Sequence, residues 1–171
     1  HKVVGGLSAD QLSQLEQRLH ELFEVVPVDL PAGREIEGLV DEVTARGQKQ
    51  HVIGVAGPGK EGPALLQLRE GIDWRQWGPL AVSEAWILDE QVIKPILGEQ
   101  ISQHVDYSHD HDQAAAEVAS GQQQLAFLLK PFPMDAFERL VGDGQRLPSK
   151  STFFYPKLPT GLIMNQLEGD L

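Results

Sequence analysis

Cysteine is absent from the chain, which excludes disulfides, thiolate nucleophiles and any metal site built on sulfur. There is also no apolar run long enough to cross a bilayer as a helix, so no membrane partner is expected. Basic residues are scarce: 14 Lys and Arg stand against 25 Asp and Glu, for a formal net charge of −11. A surface of that sign repels a phosphate backbone. That weighs against nucleic acid as a partner, but not against a small anion held at a locally basic place. What is present is a 41% hydrophobic fraction in 171 residues, enough for one substantial core or two small ones and too much for a disordered chain.

The lack of Cys is compatible with a cytoplasmic location, which is the expectation. Lys2 is followed by only a short apolar patch, unlike a secretory leader. The opening His1-Lys2-Val3-Val4 reads like the inside of a strand. This leads to the expectation of a single α+β domain over 1–171, the C-terminal part of a longer protein, with an internal sub-boundary near 98–103.

Hydrophobic periodicity supplies the elements. Leu12, Leu15, Leu19 and Leu22 recur at helical spacing, and Ser8 with Gln11 three residues later forms a capping-box start, so a helix is expected over 8–22. A strand over 23–30 follows, then a helix over 35–44 that Gly47 stops. Segments 51–56 and 64–69 read as strands joined by the Gly- and Pro-rich 57–63. That loop has no Gly-Lys-Ser/Thr and no following helix, so a hairpin is favoured over a nucleotide cradle. A long helix is expected over 80–97, buried along Ala81, Ala85, Leu88, Val92 and Ile96 and kinked or ended by Pro95. Trp74, Trp77 and Trp86 cluster at its entrance, where closing a core or a subunit contact is favoured over stacking a ligand.

Further on, 104–107 reads as a strand, and Asp110 or Asp112 caps a short helix that Gly121 ends. Segment 125–129 is a buried strand, and Pro133 opens a helix turning Met134, Phe137, Leu140 and Val141 inward. Strands over 151–155 and 161–165 close the chain. The series predicts an α+β fold with a mixed or mainly antiparallel sheet and flanking helices.

Three constellations carry chemistry. His104, Asp106, His109, His111 and their neighbouring aspartates are the densest set of metal-ligand types, yet they coincide with a helix start where Asp caps. A solvated loop and cap is therefore favoured over a metal at His104, His109 and His111. His109-Asp110 resembles half of an acid–base relay, but adjacent residues rarely form one, and its partner would have to come from elsewhere. The third is the tail. Between 144 and 163 it holds Arg146, Lys150 and Lys157 and no acid, with Ser151 and Thr152 beside three consecutive aromatics, Phe153, Phe154 and Tyr155. Arg offers a rigid donor fork, Lys a point charge and the hydroxyls neutral donors, so Arg146, Lys150, Ser151, Thr152 and Lys157 are candidates for holding a phosphate or carboxylate. The competing reading pairs those cations with surface acids.

The block Pro148, Lys150, Ser151, Thr152, Phe153, Phe154, Tyr155, Pro156 and Lys157, then Gly161 and Leu162, resembles the C-terminal signature of a widespread prokaryotic family of unknown function. Tyr is more usual where this chain has Phe153. The family's Tyr-x-His-Asp before a short helix is matched by Tyr107, His109 and Asp110, and its Ala-Phe-Leu-Leu strand before a Pro by 126–131. The helix ending in Leu22-Phe23-Glu24-Val25 is also similar, so the resemblance runs along nearly the whole chain. It implies a longer protein whose N-terminal part carries an Asp-Gly-His-His-Arg motif and has been likened to the ParB/sulfiredoxin-like fold, some of whose members are nucleotide-dependent kinases. None of that motif lies here.

The resulting expectation is an accessory C-terminal domain, not itself catalytic, that helps to bind a small anionic ligand beside its missing N-terminal partner domain. The rival readings are part of a small-metabolite kinase and a non-catalytic interaction or regulatory module. No cofactor is indicated, and self-association stays open.

Overall fold

The computed structural model describes residues 1–57 and 62–147, so the strands expected over 151–155 and 161–165 lie outside the described residues. The described part is built on a six-stranded sheet in the order β2-β4-β3-β6-β1-β5. The strands are β1 (Lys2–Val4), β2 (Phe23–Val26), β3 (Val52–Ala56), β4 (Ala64–Leu68), β5 (Val105–Tyr107) and β6 (Leu125–Leu128). All pairings among the described residues are antiparallel, which resolves the expected mixed or mainly antiparallel sheet to the latter. The segments on either side of 98–103 contribute strands to this one sheet.

Alternation along each strand sends neighbouring side chains to opposite faces, and here both faces are covered. Val4, Ile53, Val55, Leu66, Leu125 and Phe127 face α1 (Ala9–Leu22) and the helical segment of residues 84–97, and share one core with Leu15, Leu19, Leu88 and Val92. Their sequence neighbours Val52, Leu65 and Leu128 face the other way, onto Leu39 and Val43 of α2 (Glu35–Arg46). Val3, Ala56 and Ala126 meet Ala114 of α6 (His111–Ala119). Two-sided burial explains why β3 and β6 are apolar throughout instead of alternating with polar residues. Gly54 makes the second layer possible: a Cβ there would stand 3.0 Å from Leu39 Cγ and 3.1 Å from Leu128 Cβ, so α2 can lie this close only over a glycine.

α1 starts as expected. Gln11 N–H donates to Ser8 Oγ at 3.2 Å, and Ser8 N–H donates to Gln11 Oε1 at 2.9 Å. β2 ends at Val26, before the prolines at 27 and 31, and is shorter than the 23–30 expected because proline cannot donate to a ladder.

The expected helix over 80–97 runs without interruption from Glu84 to Leu97 but changes its winding on the way. A 3-10 turn (Pro79–Val82) is followed by α3 (Glu84–Ile87), a π-helical stretch (Leu88–Ile93) and α4 (Lys94–Leu97). Pro95 has no N–H, so the Gln91 carbonyl four residues earlier loses its helical donor. Arg18 Nε of α1 fills that vacancy at 2.8 Å. The wider π turn, with Lys94 N–H donating to Asp89 O, lies just before the proline.

A single turn, α5 (Ile101–His104), leads into β5, so His104 ends a helix and does not start the strand. α7 (Met134–Gly142) corrects the expected face. Ala136 and Leu140 are buried and Phe137 is half-buried, whereas Met134 and Val141 are 64% and 49% exposed. The helix packs near the Pro79–Val82 turn, with Ala136 and Leu140 buried. Among the described residues no helix is long and apolar enough to cross a membrane.

Candidate functional site

Antiparallel pairing brings the start of β3 and the ends of β4 and β6 to one edge of the sheet. Around that edge lies a cleft of about 690 Å³. Its walls are the C-terminal end of α2, the segment 48–51, the chain from Arg69 to Arg75, and α7. Five cationic side chains line it, Lys49, Arg69, Arg75, Lys130 and Arg139, against two acidic ones, Glu70 and Asp135. In a chain where acids outnumber bases 25 to 14, this is a local reversal of sign.

The cleft is anchored on a buried carboxylate. Glu84, only 3% exposed, occupies the first turn of α3 behind its N-cap Ser83, where the helix's unpaired N–H groups favour negative charge. Its Oε1 accepts from His51 Nδ1 at 2.8 Å and from Lys130 Nζ at 3.0 Å. An oxygen that accepts twice leaves the ring proton on Nδ1. Lys130 Nζ also donates to the Gly47 carbonyl at the end of α2. That contact depends on the glycine, since a Cβ at 47 would stand 2.7 Å from Lys130 Cδ.

Trp74 closes the arrangement. Its ring stands edge-on to His51 at 4.5 Å between centroids, and the Arg75 guanidinium lies over it at 4.6 Å. Arg69 has a structural duty as well, donating through Nε and Nη2 to the His20 carbonyl. The cleft therefore offers a fixed imidazole, a fixed ammonium and several longer cationic arms. This chemistry suits an oxyanion.

A second buried charge pair lies under the same helical segment. Lys2, 3% exposed on β1, is paired with Asp89 and donates to the Ala85 carbonyl at 3.2 Å. Burial pushes the Lys2 ammonium below its ordinary range, with the Asp89 charge opposing, and burial pushes the Asp89 carboxyl up, with Lys2 opposing. Asp89 Oδ1 is buried and makes no hydrogen bond among the described residues.

The residues singled out from the sequence are distributed differently. Asp110 is the N-cap of α6, accepting from the N–H groups of Asp112 at 2.8 Å and Gln113 at 3.1 Å, so its position is explained by capping. His104 Nδ1 donates to the Gly5 carbonyl at 2.9 Å and ties α5 to the end of β1. His111 opens α6 and meets the His1 ring edge-on at 6.0 Å, while His109 sits on the exposed turn between β5 and α6. No group of three His, Asp or Glu able to hold a metal assembles among the described residues.

Tyr107 is 43% exposed at the sheet edge, with Lys2 Nζ 5.6 Å from its ring centroid. Its phenol is pushed up first by burial and then by the Asp89 charge. Trp74, Trp77 and Trp86 are half-buried against the main core. Arg146 is exposed and is not among the residues lining the cleft. Lys150, Ser151, Thr152, Tyr155 and Lys157 lie outside the described residues.

Of the cleft residues Trp74 was singled out in the sequence; the charged ones were not, although a signal exists. Glu84 and Asp89 fall at helical spacing on the stripe Ala81, Ala85, Leu88 and Val92, where an acid has no business unless a buried cation meets it. Lys130 follows a wholly apolar strand and precedes Pro131. No family model matches the sequence, and neither a curated protein nor a solved structure matches it.

Proposed function

We propose that this chain binds a small oxyanion, a phosphate- or carboxylate-bearing metabolite, in the cleft beside His51 and Lys130, as a ligand-binding part of a longer protein. The observation that carries the reading is the concentration of Lys49, Arg69, Arg75, Lys130 and Arg139 around one concave surface of an acidic chain. Such a pocket focuses potential and attracts anions over a surface that otherwise repels them. The basic tail with Arg146, Lys150 and Lys157, outside the described residues beyond 147, belongs to the same proposal as a second source of cationic groups.

The test is a thermal-shift titration with inorganic phosphate, pyrophosphate and citrate at fixed ionic strength. A ligand at about 100 times its Kd stabilises a folded protein by about 2.7 kcal/mol, or roughly 5–10 °C for a domain of this size. The expected result is a saturable shift with at least one of the three that Arg75→Glu combined with Arg139→Glu removes. Equal shifts in wild type and variant would sink the assignment to this cleft.

A further inference from the structure

We propose that His51 is the proton-coupled contact of the cleft: its Nε2 meets an oxygen of the bound oxyanion, and the imidazole takes up a proton as the ligand binds. The proposal rests on the cleft being the anion site described above, and it adds the ligand's charge chemistry and its dependence on pH.

His51 lines the cleft and cannot swing away. Its Nδ1 is held by Glu84 Oε1 at 2.8 Å, and the Trp74 ring stands edge-on to it at 4.5 Å and 82°. With the proton on Nδ1, a neutral ring presents a lone pair at Nε2, which makes no hydrogen bond among the described residues. An oxyanion offers only lone pairs, and two acceptors cannot bond. Anion contact at this nitrogen therefore requires a second proton, and the ring becomes an imidazolium donating to Glu84 on one side and to the ligand on the other.

The charge of the ligand is what drives this uptake. Lys130 Nζ, 3.0 Å from the same Glu84 oxygen, already supplies a cation to that carboxylate. Lys49 just before β3, Arg69 and Arg75 beyond β4 with Glu70 beside them, and Asp135 and Arg139 on α7 are the other charged groups lining the same cleft. A bound anion tips the balance towards the imidazolium, because it sets a negative charge against the ring from the open side. Proton uptake and anion binding are then linked, each favouring the other.

Calorimetric titration with pyrophosphate and with citrate, in buffers of different ionisation enthalpy near neutral pH, reads the protons taken up. The expected result is a positive slope of binding heat against buffer heat, approaching one proton per ligand, and an affinity that falls by up to about tenfold per pH unit above neutrality. His51→Gln should still bind, more weakly, with the slope gone. A shift of the His51 ring resonances on adding pyrophosphate to the wild type checks the same event without a variant.

A wild-type protein that binds either probe with no proton uptake, or a His51→Gln protein that keeps the full slope, would overturn the proposal. If the wild type binds neither probe, the anion reading itself falls, and the proton proposal with it. Preference for pyrophosphate over citrate, or the reverse, assigns the ligand to phosphates or to carboxylates.

Discussion

Two buried charge clusters sit beneath one helical segment, and they differ in what lies on their far side. Glu84 meets His51 and Lys130, whose side chains are 10% and 14% exposed and open onto a cleft. Asp89 meets Lys2, their side chains 17% and 4% exposed, and one buried carboxylate oxygen of Asp89 is left with no hydrogen bond among the described residues. The first cluster is over-supplied with cations and borders space that a solute can occupy. The second is a pair in which burial opposes both charges, and neither of its members lines the cleft.

The comparison can be broken most forcefully at the pair of Lys2 and Asp89. Asp89→Ala leaves the Lys2 ammonium buried without its partner, an expected loss of about 3–5 kcal/mol in urea unfolding. Changing both, Lys2→Met with Asp89→Leu, should recover most of that loss, because desolvation is then removed along with attraction. A double variant as unstable as the single one would show that the pair is worth more than its burial costs.

The same pair gives a pH signature. The folded Asp89 carboxyl is raised above its ordinary 3.8, so the native state binds its proton first, and the wild type gains on the double variant as pH falls through that raised value. The folded Lys2 ammonium is lowered below 10.5, so the unfolded state holds the proton longer, and the wild type also gains as pH rises through the lowered value. The double variant's relative advantage should therefore peak between these limits. A flat difference across pH would remove burial as the governing cause.

At the open cluster the expected effect is smaller. Glu84→Gln keeps an acceptor for His51 Nδ1–H but removes the counter-charge of Lys130, for a loss of about 1–3 kcal/mol by urea unfolding. Water and anions in the cleft can solvate the stranded cation, so saturating pyrophosphate should restore part of the stability here and none in Asp89→Ala. The smallest effect belongs to local structure: Ser8→Ala should cost about 1 kcal/mol by removing the cap of α1, with ligand binding unchanged.

Local physics was legible in the chain. The capping box at Ser8 and Gln11, the cap of α6 at Asp110, one of the two aspartates expected to cap it, and the hairpin between β3 and β4 follow from residues close together in sequence. The failures share one cause. The periodic stripe over 80–97 predicts a long helix that Pro95 kinks or ends, but how that proline is accommodated depends on Arg18, over seventy residues away. On α7 the expected inward stripe was Met134, Phe137, Leu140 and Val141, of which Leu140 is buried and Phe137 half-buried, while Met134 and Val141 stay exposed and Ala136 is buried in their stead.

By itself the sequence determined the fold class, the excess of acid over base and the exclusion of thiol chemistry, because composition and short-range periodicity act on the chain one segment at a time. It also placed Glu84 and Asp89 on an apolar stripe without naming their partners. Only the tertiary structure decided that His51 and Lys130 would close on Glu84, and Lys2 on Asp89. Those groups are separated by between 33 and 87 residues, 51 to 84 and 2 to 89 being the extremes. Burial makes such pairings obligatory, since a lone charge in the interior costs too much to persist, and sheet order selects which cation arrives.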